Sequence, residues 1–180
     1  MVSNELGFVF GSIPYVGYEL FKSVYCEKNG EGGLDDPILS ELLEYEYATV
    51  VKNPYHRAVD IWKNGCAIRK EQNRKQQLLG KYFENHLNRW DYVEEDLYDT
   101  QVSYMGEMQV EHLFRYEDLV DGNWSIVNEF LRSMGSLGID YYADPDRVRD
   151  WKQYYEDPYT VDIVNYVFEK DFEFCKYPLL

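Results

Sequence analysis

The sequence predicts an α/β fold with a central, mostly parallel sheet flanked by helices. Apolar or β-branched runs at LGFVF (6–10), YEYATVV (45–51) and VEHLFRY (110–116) have the length and composition of buried strands. Each is followed by residues that repeat apolar side chains at helical spacing. Strand–loop–helix units in that order are the signature of a parallel sheet covered by helices.

The elements follow in chain order. LGFVF is closed by Gly11, Ser12 and Pro14, and Leu20, Phe21, Val24 and Tyr25 give a helix over about 16–26. EKNGEGGLDDP (27–37) is a loop. YEYATVV ends at Lys52-Asn53-Pro54, and a helix fits Tyr55 to about Lys63, with Pro54 where a missing N–H costs least. Residues 67–90 are polar and helix-permissive, with Leu78, Leu79, Tyr82, Phe83 and Leu87 on one face, and 91–107 are acidic and irregular. After the third strand, Glu117-Asp118 organises a turn or caps the next helix, which lies around Trp124–Met134. A last helix covers Thr160–Phe174, marked by Ile163, Val164, Val167, Phe168 and Phe172.

A chain of 180 residues is one domain on length, 1–180, without internal repeats. Its 18 basic and 33 acidic residues give a net charge of −15, which argues against nucleic-acid or anionic-membrane binding. The charge is uneven: residues 52–89 hold nine basic groups against Asp60, Glu71 and Glu84, a local excess of +6. That island is either a solvated helix face or a site for a small anion. Cys26, Cys66 and Cys175 are scattered and odd in number, without a CxxC pair, so neither a disulfide framework nor a metal site is expected. The first residues lack a basic leader region, and their apolar stretch is broken by Gly, Ser and Pro. No signal peptide or membrane span is expected, and a cytoplasmic setting follows.

Two strand–helix junctions can carry chemistry. FVFGSIPYVGYELF leaves a strand and opens a helix, the arrangement that gathers backbone N–H groups into an anion cradle, although GxxxxGK[ST] spacing is absent. The plain alternative is a structural turn. In VVKNPYHRAVDIW (50–62), Lys52 ends a strand and Arg57 lies about one helical turn inward, where α/β proteins bind ligands. The plain alternative there is an Arg57–Asp60 pair beside an Asn-Pro turn.

Taken together, four ordered segments resemble the sulfotransferase family, in particular its compact bacterial and phage-type members. GFVFGSIPYVGYELF is similar to the first strand and 5′-phosphosulfate loop, FVHIPKTGGTS, and VVKNPYHRAVDIW to the 3′-phosphate motif, VRNPYDRLVSAY. TQVSYM with HLFRYEDL resembles the family's Gln-x-x-Tyr segment and following strand, and YYEDPYTVDIVNYVFEKDFEFCKYP its Asp-Phe-x-x-Phe-x-Tyr ending. The resemblance covers most of the chain outside roughly 27–44 and 65–95.

It implies a P-loop-like sulfotransferase fold and transfer of a sulfuryl group from 3′-phosphoadenosine 5′-phosphosulfate (PAPS) to a hydroxyl or amine. Pro14, Gly17, Lys52 and Arg57 are the cofactor-binding positions it implies, with no metal. The acceptor is unnamed. Departures are specific: the family's loop Lys falls on Tyr15, its threonines on Val16 and Glu19, and its second Gly on Tyr18. In the second motif, Asn53, Pro54, Tyr55 and Arg57 match, Lys52 replaces an Arg and so loses the bidentate fork, and Asp60 replaces a phosphate-binding Ser. None of His56, His86 and His112 falls where members place an acceptor-side base. Two readings therefore stand. One is an active enzyme with a modified cofactor site. The other is a catalytically degenerate protein-binding module whose tyrosines fill the former crevice.

Overall fold

The computed structural model describes residues 2–3, 8–11, 13, 16, 46–71, 78–87, 100–105, 110–133 and 150–180. The chain is α/β, and its contacts divide into two compact units: 1–52 with 104–146, and 53–103 with 147–180. The expected helix over 16–26 and loop over 27–37 lie almost wholly outside the described residues.

The first unit is built on a sheet of order β1-β2-β3-β4: β1 (Val2–Ser3), β2 (Phe8–Gly11), β3 (Glu46–Val51) and β4 (His112–Arg115). β1 runs antiparallel to β2, while β2, β3 and β4 are mutually parallel, with Phe10 opposite Ala48 and Val51 opposite Arg115. The mostly parallel sheet is thus present, and the antiparallel edge β1 is an addition to it. β3 is central, and four consecutive residues, Ala48 to Val51, are buried, the continuous run expected of a strand covered on both faces.

β4 passes directly into a short helix, αA (Tyr116–Val120), so Glu117 and Asp118 lie inside a helix rather than a turn. Glycine is required just after it, at Gly122, whose φ is 88°. Next comes αB (Ser125–Ser133), which buries Val127 and Phe130 and exposes Ile126 and Glu129. Phe130 packs against His112 and Phe114, with ring centroids 4.4 and 5.6 Å away, which lays αB on β4.

The second unit is helical: α1 (Pro54–Glu71), α2 (Leu79–Leu87), the start of α3 (Gln101–Met105), a 3₁₀ turn (Trp151–Tyr155), α4 (Pro158–Val167) and α5 (Glu169–Cys175). Pro54 opens α1, and the Asn53 side chain accepts the Tyr55 N–H at 3.0 Å, a cap written in the sequence. The helix continues past the expected end at Lys63 because Asn64-Gly65 is not a turn here. Gly65 lets the Tyr82 ring approach, and a Cβ there would lie 2.6 Å from Tyr82 Cζ. Residues 91–107 are not wholly irregular, since Thr100 caps α3 by accepting the Ser103 N–H at 3.1 Å.

The expected single tail helix is two. It breaks at Phe168, whose ring is buried against Phe83 at 5.6 Å, while Asp157 caps α4 by accepting from the Tyr159 N–H at 3.3 Å. Burial of Phe168 fixes the corner between the two helices, and the apolar spacing on either side gives no sign of it.

Gly80, at the start of α2, faces α4. A Cβ there would lie 2.6 Å from Thr160 Oγ1 and 3.2 Å from Thr160 Cα, and that hydroxyl is held by Asp157 at 3.2 Å. Ala is ordinarily the better helix former by about 1 kcal/mol. Overpacking costs about 1–3 kcal/mol, so Gly80→Ala is expected to lower the melting temperature. A raised melting temperature in calorimetry contradicts this packing.

Candidate functional site

Lys52 follows β3 at its carboxyl end, and Tyr116 follows β4 at the same end of the neighbouring strand, one position beyond the Val51–Arg115 pair. The Lys52 ammonium lies 3.8 Å from the centre of the Tyr116 ring, and the residue is 4% exposed. An ammonium over an aromatic face is attracted by the ring's negative face. In α/β proteins this is the end of the sheet at which ligands bind.

Arg57 lies in the second unit, on the first turns of α1. Its guanidinium and the Asp171 carboxylate are both wholly buried, with Nη1 3.9 Å from Oδ2. The guanidinium carbon lies 5.5 Å from the centre of the Phe168 ring. Asp171 also accepts the Val102 N–H at 3.0 Å and the Gln101 side-chain amide at 3.3 Å. One carboxylate thus holds α1, the start of α3 and α5 together. Burial pushes the Asp171 carboxyl above its usual range, against the Gln101 and Val102 N–H groups, the Arg57 charge and the Gln101 amide.

The remaining predicted positions separate. Pro14 and Gly17 lie outside the described residues, while Ile13 and Val16 beside them are buried. Asp60 faces His56 rather than open solvent alone, with Oδ2 4.0 Å from Nε2, and the buried His56 ring stacks on Trp151. His112 pairs with Glu46 across neighbouring strands, Nε2 to Oε2 at 2.8 Å, next to the link in which Glu111 accepts the Tyr47 N–H. The His86 side chain is outside the described residues.

Tyr55 carries a cluster of its own. Its ring meets Trp151, Tyr155 and Phe172 at 5.9, 4.9 and 4.7 Å. The Tyr155 hydroxyl donates to the Tyr55 carbonyl at 2.7 Å, and burial pushes that phenol well above its ordinary range.

Sequence reasoning missed the roles of Asp171 and Gln101. The signal was faint: Asp171 stands between Phe168 and Phe172 but beside Glu169 and Lys170, and Arg57 is followed by Ala58, Val59, Ile61 and Trp62 but also by Asp60. Opposite charges on two apolar faces predict each other, since neither is tolerated alone. Among the described residues, no group of His, Cys, Asp and Glu could hold a metal ion, and no helix is long and apolar enough to cross a membrane. No family model matches the chain, and neither the curated proteins nor the solved structures contain a significant match.

The raised Asp171 pKa sets a sign. Its stabilising contribution is full below the ordinary carboxylate range and is lost as pH rises through the raised pKa, where the carboxyl must ionise in the interior. Asp171→Asn is expected to abolish that fall with pH and to be less stable than the parent chain, because it leaves the buried Arg57 guanidinium without its anion. Denaturant unfolding across pH 4–8 checks it, and parallel stability profiles for the two proteins contradict it.

Proposed function

We propose that this chain is a sulfotransferase of P-loop-like fold that binds PAPS and transfers its sulfuryl group to a hydroxyl or amine. One observation carries the reading. Three segments that resemble the family in sequence, within 50–62, 100–105 and 154–178, meet at one buried cluster through Arg57, Gln101 and Asp171. Segments that match a family by chance have no reason to converge. The parallel arrangement of β2, β3 and β4 supports it as well.

The two cations of the second motif divide the work. Lys52 fits a phosphate, because its charge stands at the carboxyl end of the central strand. Arg57 fits an internal role, because its guanidinium is wholly buried against Asp171. In this reading Lys52 binds the 3′-phosphate and Arg57 holds the first turn of α1 in place. PAPS, when bound, supplies an activated sulfuryl group with a phosphate leaving group. This chain's own contribution is to fix the nucleotide and to shield it from water.

A second reading, a catalytically degenerate module that binds a protein, is favoured by Asp60, which sets a carboxylate where the family has a hydroxyl. Burial of Lys52 against Tyr116 favours it too.

Adenosine 3′,5′-bisphosphate separates them. A hundredfold excess over Kd is expected to raise the melting temperature by about 5–10 °C, by mass action on the native state. Lys52→Gln should remove most of that rise. A flat melting temperature at millimolar nucleotide overturns the enzyme reading in favour of the module.

A further inference from the structure

We infer that residues 177–180 form a strap latched onto α1 by the Tyr55 hydroxyl. The hydroxyl donates to Asn165 Oδ1 at 2.5 Å and accepts the Leu180 N–H at 2.9 Å. It therefore joins α1, α4 and the tail through one oxygen. α5 ends at Lys176 in a left-handed conformation, φ 57°, and this turn sends the tail back towards the start of α1.

What holds the tail is narrow. Tyr177 is buried, but Pro178, Leu179 and Leu180 expose their side chains, the two leucines to 62% and 56%. Apolar burial does not explain why residues 178–180 lie where they do. Among the described residues, the bond that holds them is the Leu180 N–H to the Tyr55 hydroxyl. A single hydrogen bond of ordinary net strength closes such a latch only about fivefold in favour. The strap is thus a reversible device, not a permanent part of the core.

Its position gives it a consequence. Tyr55 stands in the Asn53-Pro54-Tyr55 turn immediately after Lys52, and its own carbonyl is held by Tyr155. A closed strap restrains that turn from the tail side. Resting on the reading proposed above, the closed strap holds the start of α1, the segment that follows Lys52 in the chain, and the open strap releases it. Tyr55 is a positioning residue in this scheme and does not touch the ligand.

Two variants test the latch in the full chain. Tyr55→Phe removes the hydroxyl and keeps the ring. Leu180→Pro removes the donor N–H at an exposed position and leaves the core untouched. The ¹⁵N–{¹H} NOE of Leu179 reports tail order on the fast timescale. It is expected to be high in the parent chain and to fall in both variants. An unchanged NOE in Leu180→Pro overturns the latch.

The second readout is the Kd for adenosine 3′,5′-bisphosphate, expected to weaken about fivefold in both variants. An unchanged Kd beside a lost NOE overturns the positioning role. A parent chain that does not bind the nucleotide overturns that role together with the enzyme reading, while the NOE still decides the latch.

Discussion

The pairing of Arg57 with Asp171 is the constraint on which the second unit depends. Both groups are wholly buried, and they lie on helices that are far apart in sequence. Arg stays protonated at any accessible pH, so the interior around Phe168 has to supply an anion or expose the guanidinium to water. Asp171 supplies it, and its other oxygen is aimed at the first turn of α3. The pair is costly rather than simply stabilising, since burial pushes the carboxyl up despite four opposing influences. Such a pair is weak evidence for stability. It specifies register instead, because α1, α3 and α5 can be satisfied together in only one arrangement.

A different constraint organises the first unit. β3 is buried along most of its length and lies between two parallel neighbours, so its carboxyl end is where a charged side chain can be presented to a ligand. Lys52 takes that place, with Tyr116 under its ammonium. The net charge of −15 is no obstacle to binding a small anion, since the charge that matters is local and basic residues are gathered in 52–89. Within that segment the two described motif cations have different surroundings: an aromatic face for Lys52, a carboxylate for Arg57.

Much of the fold was legible because its signals are local. The strands at 46–51 and 112–115 follow from β-branched and aromatic runs, and the start of α1 follows from Asn53-Pro54. The misread positions are those where distant packing overrules local preference. The helix expected to end at about Lys63 runs on through Gly65, where the Tyr82 ring packs, and the corner at Phe168 depends on Phe83. The short helix at 101–105 depends on a carboxylate seventy residues away. Of the candidate site, Lys52 was legible as a charge at a strand end. Arg57 was legible as a charge, but its partner was not, because nothing near it in sequence names Asp171.

A double-mutant cycle on Arg57 and Asp171, read by equilibrium unfolding at neutral pH, tests the central claim most directly. Arg57→Met strands the carboxylate in the interior and is predicted to cost about 3–5 kcal/mol in the parent chain. In the Asp171→Asn background the same change removes a lone buried cation, and is predicted to be neutral or stabilising. Equal losses in the two backgrounds would show that the residues are uncoupled and would contradict the account.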